Sequence, residues 1–180
     1  MNTVTVYIDG GPLEDGIRGQ GLSMDLDWRG WLSEVAGGRP LGGLYYFTPR
    51  LPESPYPVKH QHQKAQTDVL SACGFKVVLS ATQIVNSIFV ERGTEAEFAT
   101  RLLADACSGT VETALVVSRR AALAPVLDAV RQTGKRVEVA FFHYRLDPCN
   151  PLHAHCDSHQ VISCEMLASY TRGGPLPFFR

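Results

Sequence analysis

Apolar residues follow two rhythms along this chain, one of period two and one near 3.6. Residues 3–9 (TVTVYID) alternate as a half-buried strand does, and they stop at Asp9-Gly10-Gly11-Pro12, which reads as a turn. A helix is expected over about 23–36, with Ser23 as its cap and Leu26, Trp31, Leu32 and Val35 as its apolar side. Residues 41–49 (LGGLYYFTP) read as a second strand, 50–59 as a proline-rich loop, and 60–74 as a helix ended by Gly74. Two further strands are expected at 75–80 and 83–90. The strongest helical pattern lies in 91–109, where Thr94 and Glu97 have capping-box spacing and Phe98, Leu102 and Leu103 form an apolar stripe. Strand 112–118, helix 121–134 and strand 135–143 follow. Strands alternating with helices predict a three-layer α/β/α, Rossmann-like domain with a mostly parallel central sheet.

Composition narrows this picture without changing it. The 180 residues suffice for one domain, with 44% hydrophobic and 19% charged residues. No apolar run approaches the roughly 18 residues of a membrane span, so no membrane partner is expected. The first strand begins at once, with no basic and apolar leader before it, and a cytoplasmic location is expected. Five cysteines without framework spacing agree with a reducing compartment. A formal charge of −1 gives no global attraction to nucleic acid, so phosphate contacts would have to be local.

Chemistry is expected at the carboxyl ends of parallel strands. One such corner, VVSRRAALAPVL at 116–127, carries Ser118, Arg119, Arg120, Ala121 and Ala122, with no carboxylate, histidine or thiol. There is no G-x-G-x-x-G after the first strand and no P-loop, G-x-S-x-G or C-x-x-C motif, which argues against dinucleotide, phosphate-loop, hydrolase and thioredoxin-like chemistry. What remains is Asp9 at a strand end, Glu95 at a helix start, and the Ser118 corner.

The ordered blocks VYIDGGPL (6–13), YYFTPR (45–50), VERGTEAEFATRLLADA (90–106), ALVVSRRAALAPVLDAV (114–130), GKRVEV (134–139) and PLHAHCDSH (151–159) resemble the NYN domain family, the PIN-like ribonucleases. The resemblance covers residues 1–163 and leaves 164–180 as a C-terminal extension, whose end, RGGPLPFFR, is rich in proline and glycine. It implies an RNA nuclease dependent on Mg²⁺ or Mn²⁺. The family pattern has D-G-x-N-L after the first strand, K-G-x-D at a helix start and S-x-D-S-D at the corner. Here Asp9 and Gly10 fit, but Pro12 replaces the asparagine. Arg92-Gly93-Thr94-Glu95 fits the helix start with Glu95 in place of the aspartate, and Ser118 fits the corner. Arg120 and Ala122 occupy both corner-aspartate positions.

That replacement has a physical cost. A Mg²⁺ site needs hard oxygen ligands that position water and neutralise developing charge. Exchanging a carboxylate for a guanidinium shifts the local charge two units the wrong way, and unit charges about 4 Å apart interact by roughly 4 kcal/mol at an effective dielectric near 20. Arg120 can instead bridge Asp9 and Glu95 as an internal counter-ion. Asp105, about 15 Å further along the same predicted helix and turned away, is not expected to share a metal with Glu95. Glu97 is explained by the capping box, and Glu91 reads as a solvated strand end.

Three functions follow as expectations. The favoured one is a catalytically impaired module that binds RNA or protein and needs no cofactor. The second is an active Mg²⁺- or Mn²⁺-dependent endoribonuclease, with Asp9 and Glu95 as catalytic and metal ligands. The third is a scaffold or homo-oligomerising subunit without nucleic acid. Arg119, Arg120, Arg50, Lys59 and Lys64 are the candidate RNA contacts, with His60 and His62 in the same basic stretch. Cys149, His153, His155, Cys156 and His159 are metal-ligand types without zinc-site spacing, and the resemblance to the family's late block, which Leu152 and Asp157 fit, implies a surface loop and short helix there.

Overall fold

The structure is a computed structural model that describes residues 2–85, 88–142 and 150–172. Its frame is a six-stranded, wholly parallel sheet. In chain order the strands are β1 (Val4–Asp9), β2 (Leu41–Pro49), β3 (Lys76–Ser80), β6 (Thr113–Val117), β7 (Arg136–Phe142) and β8 (Ser158–Ile162). They lie in the order β3-β2-β1-β6-β7-β8, so the winding reverses between β1 and β6. The expected three-layer α/β/α domain is what the chain forms.

Alternation along each strand sorts the core into two halves. Val4, Val6 and Ile8 of β1 face one layer together with Leu115, Val117, Ala140 and Phe142. That layer holds α1 (Gly10–Gly19), α2 (Trp28–Val35), Leu70 of α3 (Pro57–Ala72) and Leu167 of α6 (Cys164–Ala168). On the other side Tyr7, Val116 and Val139 meet α4 (Thr94–Cys107) and α5 (Ala124–Gln132) through Phe98, Leu102, Leu127 and Val130. Among the described residues no helix is long and apolar enough to cross a membrane.

Several expectations are corrected. Asp9-Gly10-Gly11-Pro12 is no turn but the start of α1. Pro12 fits there because the N–H groups of a helix's first turn have no intrahelical acceptor, so the missing one costs nothing. Leu13 and Ile17, one turn apart, bury the helix, and Gly16 lies so close to the Phe142 ring that a Cβ would overlap it. The cap of α2 is Asp27, which accepts from the Gly30 N–H at 3.2 Å, while Ser23 Oγ accepts from Asp25 N–H. The 83–90 segment is not one strand: β4 (Thr82–Val85) pairs antiparallel with β5 (Ile88–Glu91), apart from the main sheet, and residues 86–87 lie outside the described residues. A 3-10 turn, Ala121–Leu123, precedes α5.

The late segment also differs. Leu152 is fully buried rather than on a surface loop, His153–His155 form a 3-10 turn, and Ser158–Ile162 add the edge strand β8. Asp157 fixes that connection, accepting from Val137 N–H at 2.8 Å and pairing with Arg131. Beyond residue 163, α6 packs on the core, Tyr170 O accepts from Asp27 N–H, and Arg172 N–H donates to Asp25 O. Residues 173–180 of the tail lie outside the described residues.

Candidate functional site

The reversal of winding places the ends of β1 and β6 beside each other, the position where open α/β sheets bind ligands. Asp9 ends β1. It also occupies the N-cap position of α1, yet its carboxylate makes no cap bond, because it turns toward β6. Gly10 permits the sharp start of the helix: a Cβ there would come within 2.9 Å of the Phe47 carbonyl oxygen. Ser118, one residue past β6, donates its hydroxyl to Asp9 Oδ2 at 3.0 Å and accepts from the Arg120 N–H at 3.1 Å. The serine thus ties the corner to β1. Asn150 holds the same corner from behind, donating to Ser118 O at 3.2 Å.

Arg120 then reaches across the gap. Its Nε donates to Asp9 Oδ2 at 2.7 Å, Nη1 to Glu95 Oε1 at 3.0 Å and Nη2 to Glu91 Oε2 at 3.4 Å. Asp9 is almost wholly buried, with a side chain 4% exposed, while Arg120 is 26% exposed. Asp9 Oδ1 is buried and finds no hydrogen-bond partner among the described residues. Burial pushes the Asp9 carboxyl up to about 6, outweighing the opposing pull of Arg120 and the Ser118 hydrogen bond. The Arg120 guanidinium is held above its usual value: the three carboxylates outweigh the cost of burial.

Glu91 is the residue that sequence reasoning missed. It is not a solvated strand end but a half-buried partner of Arg120. The turn at Gly93, with φ of +90°, brings Glu91 at the end of β5 and Glu95 in the first turn of α4 to one guanidinium. Gly93 is also the N-cap of α4, so Thr94 and Glu97 form no capping box. The Thr94 hydroxyl is bonded to that of Ser80 instead. Asp105 lies away from the site, on Tyr7 and Arg101.

The other candidates are scattered. Arg119 is partly buried at the corner. Arg50, Lys59, His62 and Lys64 are exposed along the β2–α3 connection and α3, while His60 Nδ1 is bonded to Leu51 O at 2.7 Å. His155 pairs with Asp128 and the rings of His153 and His159 meet edge to face; Cys149 lies outside the described residues. Among the described residues no three His, Cys, Asp or Glu side chains are grouped to hold a metal ion.

A parallel sheet with an acid at the switch point and a serine corner beside it defines a Rossmann-like α/β class with its candidate site at the carboxyl edge of the sheet. The chain matches the NYN domain over residues 3–163 and belongs to that family, within the PIN-like nucleases. A crystal structure of a protein of unknown function from Vibrio parahaemolyticus has the same fold, with a TM-score of 0.67 at 13% identity, covering 91% of this chain and 94% of that one. No curated protein matches the chain.

The family's nucleases generally use a divalent metal, and the donor set here does not fit one as it stands. The carboxylates that would ligate it radiate around a guanidinium, and both corner-aspartate positions lack an acid. A cation entering beside Arg120 would meet positive charge at ligand distance.

Proposed function

We propose that this chain is a non-cleaving member of its ribonuclease family that binds single-stranded RNA, with Arg120 taking the place of the catalytic cation. One observation carries the reading: Arg120 contacts Asp9, Glu95 and Glu91 at once, through Nε, Nη1 and Nη2. Its guanidinium satisfies the charge that a metal would otherwise balance, leaving no cation to activate water. The same contacts make Arg120 an internal counter-ion rather than a phosphate ligand. Phosphate contact then falls to the exposed Arg50, Lys59 and Lys64, and no resident cofactor is required.

The test is an assay of the purified protein with labelled single-stranded RNA in Mg²⁺ or Mn²⁺. Binding at low salt with cleavage no faster than a blank is expected. Metal-dependent cleavage that disappears in Asp9→Asn would restore the enzyme reading, and absence of RNA binding would leave the scaffold reading in its place.

A further inference from the structure

The corner has a neighbour on the far side of Gly11. There a cleft of about 410 Å³ opens between α1 and α3 above the end of β2, within the size range of small-molecule sites. Gly11 separates it from Arg120: a Cβ on Gly11 would stand 3.3 Å from Arg120 Nη2.

The cleft is built. Gln63 on α3 clamps the loop after β2 from both ends, donating to Pro49 O at 2.8 Å and accepting from Leu51 N–H at 2.8 Å. His60 adds a bond to Leu51 O. The wall so fixed is apolar, Pro49 and Leu51, while Lys59 and His62 project from α3 beside it. The cleft's one acid, Glu14, is already engaged: Oε1 accepts from Tyr46 Oη–H and Gln66 Nε2–H, and Oε2 from Arg18. On the other side of Gly11 the rim is Glu91 and Glu95. A polyanion is therefore repelled on one side of α1 and drawn to the other.

We infer that the α1–α3 cleft takes one unstacked nucleotide of a single-stranded RNA, with its base against Pro49 and Leu51 and its phosphate toward Lys59. An apolar wall, a ring beside it and a cation at the rim are what a base and a backbone phosphate need. A base paired in a duplex would first have to be unpaired and unstacked, which costs a few kcal/mol and disfavours its entry. This inference rests on the RNA-binding reading above and deepens it.

The test is fluorescence anisotropy with a labelled oligouridine of about eight nucleotides and with a duplex of the same length, near 50 mM salt. Lys59→Ala combined with His62→Ala should weaken single-strand binding about tenfold. Lys64→Ala, on the same helix but outside the cleft, should weaken it about twofold, and the duplex should bind far more weakly than the single strand. All three positions are exposed, and matched melting curves confirm that the variants fold. Equal losses from Lys64→Ala and the double variant, or equal affinity for duplex, overturn the cleft while RNA binding stands. Failure of the unaltered protein to bind the oligonucleotide overturns both.

Discussion

Asp9 and Arg120 are joined at 2.7 Å through one carboxylate oxygen and Nε, and the other oxygen of the same buried carboxylate finds no hydrogen-bond partner among the described residues. Among the described residues, Arg120 Nε and the Ser118 hydroxyl therefore meet Asp9 through one oxygen only. Arg120→Ala should leave Asp9, Glu91 and Glu95 facing one another. Because Asp9 can take up a proton, the loss is expected at about 2 kcal/mol, below the cost of stranding a fixed buried charge. For a chain of this size that lowers Tm by roughly 4–8 °C. Calorimetry showing an unchanged Tm would remove the counter-ion role.

The raised Asp9 pKa sets the sign of a pH effect. From its ordinary 3.8 the carboxyl rises to about 6 in the folded state, so folded protein binds this proton more tightly than unfolded protein does. Asp9 contributes most to stability when protonated, below about pH 4, and that contribution falls as pH rises through 6. Asp9→Asn lacks the titration. The unfolding free energy of the natural protein minus that of Asp9→Asn should fall on the order of 2 kcal/mol between pH 4 and pH 7. Glu138, held low by Arg39 and Arg136, acts in the opposite direction at lower pH and is common to both proteins. A pH-independent difference would contradict the shift.

Restoring the corner acids should restore metal affinity. Arg120→Asp with Ala122→Asp removes one cation and adds two carboxylates near Asp9 and Glu95, and Ala122 is exposed on its 3-10 turn with room for a larger side chain. Titration calorimetry with Mn²⁺ is expected to show at least about a tenfold gain over the natural protein, the change of one ligand–metal contact or more. No gain would mean that these positions do not address the Asp9 carboxylate.

Salt dependence distinguishes the roles of the cations. Each phosphate neutralised on a single strand contributes a slope of roughly −0.7 in log K against log salt. Three contacts through Arg50, Lys59 and Lys64 give about −2. Lys59→Ala should flatten the slope by about 0.7, whereas Arg120→Ala should leave it unchanged, since that guanidinium is already committed. A slope reduced by Arg120→Ala would show it to be a phosphate ligand.

Periodicity makes the sheet and its main helices legible in the sequence. The elements it loses are those whose signal is local chemistry rather than pattern. In α1 the Gly-Gly-Pro run mimics a turn, although Leu13 and Ile17 already carry helical spacing. Strand β8 lies at the sheet edge with Val161 substantially exposed, so its apolar signal is thin. The site is legible in Asp9, Glu95, Ser118 and Arg120. Glu91 is not, because its approach to Arg120 depends on the β4–β5 pairing and a left-handed Gly93 that no spacing rule connects.

Helix α3 buries Leu70 alone and is otherwise fastened by polar contacts, His60 and Gln63 to the end of β2 and the loop after it and Gln66 to Glu14 of α1. A helix so attached has little hydrophobic free energy to lose, so it should open as its own cooperative unit before the sheet melts. Its amide hydrogens should exchange with solvent faster than those of β1 and β6, and a ligand bridging it to α1 should slow that exchange. Recognition on this face would then be read out as order in a single helix, with the sheet beneath it standing still.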